Sequence, residues 1–204
     1  MQRFPRLTSL RVEPAPGDGG LRHLRPLTKL RSLEIDGTNL TELELEHIAA
    51  LKGLEYLEVS RMTITDEGME HLAGLTSLVR LALDSKITDD GMKHLANMGK
   101  LESLEISGRM SDHGLKHLAG LTSLEVLVVR GQCLTDEGLR HLANMKKLRY
   151  LDVAGDITDE GLRHLEGLKG LKTLNITSDS ACSNAALDRL RKELPNLQVL
   201  EVVP

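Results

Sequence analysis

A motif of the form I/L-T-D-E-G-L/M returns along this chain at a nearly fixed interval, and that interval restricts the fold more than any other feature. It stands complete at Ile64–Met69, Leu134–Leu139 and Ile157–Leu162. The apolar residue that opens each unit falls at Leu27, Leu51, Leu75, Met98, Leu121, Met145 and Leu168, so every step is 23 or 24 residues. A constant period of this size marks a solenoid, in which each unit buries its apolar face only against its neighbours. The chain therefore reads as one domain over 1–204. Residues 1–26 form a partial first repeat or N-terminal cap, 27–167 six regular repeats, and 168–204 a long last repeat with a C-terminal cap.

Composition agrees with stacked identical units. Leucine fills 41 of 204 positions, whereas Phe4, Tyr56 and Tyr150 are the only Phe, Tyr or Trp residues. A globular core of this size would draw on more aromatic bulk. All six prolines lie outside 27–194, so none interrupts the stack.

Within one unit the local patterns alternate. Leu124, Leu127 and Val129 lead into a period-two run, as a short strand requires. Leu134 re-enters the core, and Thr135 is placed to cap a helix whose first turn carries Asp136 and Glu137. Leu139, Leu142 and Ala143 then follow at helical spacing. One strand and one helix per unit predict a right-handed α/β coil, with a parallel sheet lining the concave side and helices on the convex side.

The pattern L-x-x-L-x-x-L-x-L-x-x-x-x-I-T-D-E-G-L-x-x-L-A-x-L resembles the leucine-rich repeat family. It is most similar to the ITDxGL variety found in cysteine-containing repeats of F-box-type proteins and in many bacterial repeat proteins. The resemblance covers essentially the whole chain and implies a partner-binding scaffold. The family often places Asn or Cys after the strand, bonding backbone in the next coil. Here Thr38, Met62 and Gln132 stand nearest to that place, and the 23-residue units are one residue shorter in that turn.

Several function classes are set aside. A net charge of −4 is the wrong sign for a nucleic-acid binder. There is no apolar run long enough to span a membrane and no leader-like stretch at the N-terminus. Cys133 and Cys182 lie about two units apart, too far for a disulfide. Two unpaired thiols favour a reducing, cytoplasmic setting, while residues upstream of Met1 would leave secretion open. No GxSxG, Walker A, HExxH or strand-linked GxGxxG motif is present, so neither an enzyme nor a cofactor is expected.

Two repeated columns invite metal hypotheses. His23, His47, His71, His94, His117, His141 and His164 share one position, which lies about 200° round the helix from a core leucine and so points outward. Repetition of a tolerated residue accounts for them, and a pH- or metal-sensing ladder is the weaker reading. Asp66, Asp89, Asp112, Asp136 and Asp159 lack calcium-loop spacing, and charge at a helix N-terminus accounts for them. No metal is expected.

The outward residues of the sheet vary between units, as a binding face can. Tyr56, Arg80, Val126 and Tyr150 fall in one column. Glu58, Glu105, Val128 and Asp152 fall in a second, and Arg130 in a third. Tyr and Arg are the residue types that dominate interface energies. Acids outnumber arginines over eight strands, so the expected partner is a protein with a basic, partly apolar surface. The reading is a non-catalytic interaction module, monomeric, with those nine residues as its contact set. The alternative is a structural or spacer segment of a larger adaptor, kinase or surface protein.

Overall fold

The computed structural model describes residues 6–13, 19–37, 40–177 and 182–203; Thr38 and the side chains of Asp84 and Gln132 lie outside the described set. Among the described residues nine strands form one parallel sheet in chain order: β1 Ser9–Val12, β2 Ser32–Asp36, β3 Tyr56–Ile64, β4 Arg80–Ile87, β5 Ser103–Gly108, β6 Val126–Thr135, β7 Tyr150–Asp156, β8 Thr173–Thr177 and β9 Val199–Val203. The outward columns are read over eight of these, β2 to β9; β1, within the strand edge expected over Leu7–Val12, carries the same apolar comb in front of the first full unit and pairs with β2.

Each strand from β1 to β8 is followed by a short helical segment that returns the chain across the back of the sheet. These are α1 Leu45–Ile48, α2 Asp66–Leu72, α3 Asp89–Met92, α4 Asp112–Lys116, α5 Asp136–Arg140, α6 Asp159–Leu165 and α7 Asn184–Glu193, with 3-10 turns at Leu21–Leu24, Glu42–Glu44 and Lys93–Leu95. The helices are shorter than the apolar spacing implies. Leu142 is fully buried but lies beyond the end of α5, and Ala143 is only half-buried. A unit of 23 or 24 residues that must contain a strand and two turns leaves room for little more than one or two helical turns.

The core is a leucine ladder between sheet and helices. Leu124, Leu127 and Val129 of the strand side and Leu134, Leu139 and Leu142 of the return side are all buried, and the same positions are buried in each coil from β3 to β7. Met62, one of the residues nearest the family's Asn or Cys position, is buried in this core.

Bonds from coil to coil are made by the aspartate column. Asp66 accepts the Thr88 N–H at 2.8 Å and the Thr88 hydroxyl at 2.7 Å. Asp89 binds Ser111 in the same way, Asp112 binds Thr135, Asp136 binds Thr158 and Asp159 binds Ser183. Glu42 takes the equivalent role toward Thr65. The receiving hydroxyl is also the helix cap: Thr135 Oγ accepts from the Glu137 N–H at 3.3 Å. Each of the five aspartates thus polarises a hydroxyl that in turn holds a backbone donor, a chain in which every bond strengthens the next. The Thr65 hydroxyl held by Glu42, by contrast, caps no backbone N–H. The expectation that helix-terminal charge alone explains these aspartates is therefore corrected.

The glycine of the motif follows from this contact. A Cβ at Gly114 would lie 2.6 Å from Asp89 Oδ1, and one at Gly138 or Gly161 would overlap the carboxylate of Asp112 or Asp136. D-x-G is thus the imprint of two coils on one another, the aspartate reaching forward and the glycine admitting the aspartate from behind.

Candidate functional site

The open face of the sheet is built by register. Ser32, Tyr56, Arg80, Ser103, Val126, Tyr150, Thr173 and Val199 stand opposite one another from β2 to β9, as do Glu34, Glu58, Ala82, Glu105, Val128, Asp152, Asn175 and Glu201. Alternation along each strand turns the intervening leucines, valines and isoleucines inward, which leaves these columns facing solvent. The third column is less regular. The pairing slips after Val59 in β3, after Leu83 in β4 and after Arg130 in β6, so Ser60, Asp84 and Ser107 do not form a continuous row. Arg61, just past the first slip, has a positive φ of 57°.

The two columns bring together most of the residues expected to form the site. Tyr56 is half-buried, and its hydroxyl donates to Glu58 at 2.5 Å. The Arg80 guanidinium lies 5.6 Å from the centre of the Tyr56 ring, within cation–π range. Burial, followed by the bond to the Glu58 carboxylate and its charge, pushes the Tyr56 phenol up to about 12. It therefore stays a neutral donor at any physiological pH. Next to this group the second column shrinks to Ala82, and Glu58, Ser60, Arg80, Ala82 and Glu105 line an open depression there. The small side chain between two glutamates is the signal that sequence reading passed over.

Four strands from Tyr56, Tyr150 is also half-buried, and its hydroxyl oxygen accepts from Asn175 Nδ2 at 3.1 Å. At about 4.8 Å per strand the two tyrosines lie about 19 Å apart. Arg130 sits between Glu105, at 3.8 Å, and Asp152, at 3.4 Å. Val126 is half-buried, whereas Val128 is only 7% exposed and offers little surface as an anchor. The acidity read from eight strands is moderated by two arginines outside that count. Arg11 of β1 enters the second column and lies 3.4 Å from Glu34, and Arg61 reaches Asp36 at 3.1 Å.

The histidine ladder lies away from this face. His23 is exposed, but the other six are half-buried rather than pointing freely outward. Among the described residues no three His, Cys, Asp or Glu side chains converge as a metal site requires, and no helix is long and apolar enough to cross a membrane. Both cysteines are free, and the Cys182 thiol lies 3.5 Å from the Ile157 carbonyl.

Solved structures share this architecture. An internalin from Listeria monocytogenes str. 4b F2365 matches 90% of this chain with a TM-score of 0.62 at 22% identity. A leucine-rich-repeat protein from Leptospira interrogans matches 95% with a TM-score of 0.60 at 21% identity. The match spans 65% and 54% of those two chains. No curated protein matches the sequence. A family model described as a leucine-rich repeat region covers residues 1–203, so the chain belongs to the leucine-rich-repeat family, whose members are protein-interaction modules rather than enzymes.

Proposed function

We propose that this chain binds a protein partner through the concave side of its sheet, without catalysis. The observation that supports this most is the single column from β3 to β7 in which Tyr56, Arg80, Val126 and Tyr150 share one register. Aromatic and arginine side chains on rigid strands lose little freedom on binding, and both tyrosine hydroxyls are already held by neighbours. Around that line, Glu58, Glu105 and Asp152 give the face its negative sign, and Arg130 bridges two strands within it. A partner with basic side chains flanking apolar ones fits this pattern. Its lysine or arginine would enter the depression over Ala82. The two free thiols fit a reducing compartment.

The test is an affinity capture from source cells with the wild-type chain and with the Tyr56→Ala/Arg80→Glu/Tyr150→Ala variant, both verified folded by thermal melting. The expected outcome is a protein retained by wild type and lost by the variant. Equal retention by both overturns the concave-face reading. Retention by neither favours a structural segment of a larger protein.

A further inference from the structure

The residue just before each strand belongs to a column of its own, because its carbonyl accepts N–H groups of the next coil. Glu55 O takes those of Val79 and Arg80, and the same step recurs from Val79 to Glu102, Glu125, Arg149 and Lys172. Each strand begins one residue later, so this column borders the one that holds Tyr56, Arg80, Val126 and Tyr150.

The border changes sign along its length. From β3 to β8 it reads Glu55, Val79, Glu102, Glu125, Arg149 and Lys172. The turn ahead of β7 adds Lys146 and Lys147, and the turn ahead of β8 adds Lys169. A chain of net charge −4 thus gathers five cations in two consecutive turns. Part of this charge is already paired: Arg149 lies 3.2 Å from Glu125 and Lys169 lies 2.9 Å from Glu193. Lys146 donates to the Gly167 carbonyl at 3.2 Å. Lys147 and Lys172 are exposed and meet no acid within ion-pair distance among the described residues. Glu125, Lys146, Lys147, Arg149, Lys172 and Asn196 line an open cleft here.

Four cations against one acid suit an anionic occupant, and the spacing suits an extended peptide. Adjacent coils lie about 4.8 Å apart, and alternate side chains of an extended segment about 6–7 Å, so two of its carboxylates reach Arg149 and Lys172 together. On the open face at this end, Asp152 is already engaged by Arg130. A nucleic acid fits less well. Its phosphates continue on both sides, whereas Glu102 and Glu125 bound this patch on one side and Glu193 on the other.

We propose that this cleft receives an acidic segment of the partner protein, which lies along the tyrosine column with its basic part over Ala82 and its acidic part over Lys147, Arg149 and Lys172. The assignment to that partner rests on the concave-face reading above. It refines the partner from basic to one with opposite charge at its two ends, which fixes the direction in which it lies. Ala82 in β4 and Lys172 ahead of β8 are four strand steps apart, about 19 Å, so about six extended residues separate the two parts.

Fluorescence anisotropy with a dye-labelled hexaglutamate peptide at low ionic strength tests the cleft. The peptide is expected to bind wild type despite the chain's own negative charge, and to be released as salt rises. Lys147→Glu/Lys172→Glu should weaken binding about tenfold or more, and Lys29→Glu/Lys52→Glu, the same charge change farther along the same rim, by less than about twofold. Melting curves confirm that both variants are folded. No binding to wild type overturns the proposal, as does equal weakening by the two variants. A short DNA duplex bound more tightly than the peptide through the same lysines overturns it in favour of a nucleic-acid site. If Lys147→Glu/Lys172→Glu captures the partner as wild type does while the Tyr56→Ala/Arg80→Glu/Tyr150→Ala variant loses it, the concave reading stands and this one fails. If the peptide behaves as expected but the triple variant still captures the partner, the concave reading fails and the acidic-segment cleft stands on its own.

Discussion

Gly138 stands in its helix against the ordinary preference of helices for alanine, because the Asp112 carboxylate occupies the space a methyl group would need. Gly138→Ala is therefore expected to destabilise the fold by about 1–3 kcal/mol, as overpacking does. Gly120 is the control, since a methyl group there would meet nothing within 4 Å. Gly120→Ala should be neutral or stabilise by about 0.5 kcal/mol through the unfolded state. Urea unfolding of the two variants beside wild type distinguishes them, and equal effects would mean that the Asp112 contact does not govern the site. This glycine was visible in the sequence as part of a motif, but its reason was not. The cause lies one coil back along the chain, where no local pattern reaches.

The aspartate-to-hydroxyl link operates between helices, and its protonation has a direction. Bonds from the Ser183 hydroxyl and N–H hold the Asp159 carboxyl below its usual range. Burial acts against ionisation at Asp89, but bonds from Ser111 and the Gly114 N–H outweigh it, and that carboxyl is also lowered. Both groups ionise more readily folded than unfolded. Their contribution is thus present above the ordinary aspartate value near 4 and is lost as pH falls through the lowered folded values. Melting temperature should fall between about pH 5 and 3, and the Asp89→Asn/Asp159→Asn variant should fall less steeply; parallel slopes would sink the assignment. Element order and caps were legible in Thr135-Asp136-Glu137-Gly138. Helix length was not, because α5 ends where the chain must turn back toward β7 rather than where its apolar spacing stops. The open-face columns were legible because strand alternation is strict, whereas the slips after Val59 and Arg130 depend on how neighbouring coils of unequal length meet.

Along the described residues the core is one continuous ladder, fully buried in its middle and half-buried at β1 and β9. Leu127 is fully buried, and Leu200, its counterpart in β9, is half-buried. Leu127→Ala should cost about 2–5 kcal/mol, and Leu200→Ala, measured at low protein concentration, clearly less. Denaturant unfolding at matched concentration provides the comparison. Equal losses would mean that the edge strand is as well packed as the centre. Sequence alone could not reveal this gradient, since the two leucines occupy the same place in the same motif and differ only in how many neighbours their coils have.

The forward-reaching aspartate has one more consequence, for how such a chain changes over generations. Each coil from α2 to α6 both offers a carboxylate and receives one, through the same Thr or Ser and the same glycine. A duplication or loss of one whole unit in the gene therefore joins an aspartate to a hydroxyl it has not met before, yet finds the same fitting on both sides. Length can vary by complete units while the joints stay intact, and the variable residues of the sheet are carried along to new positions.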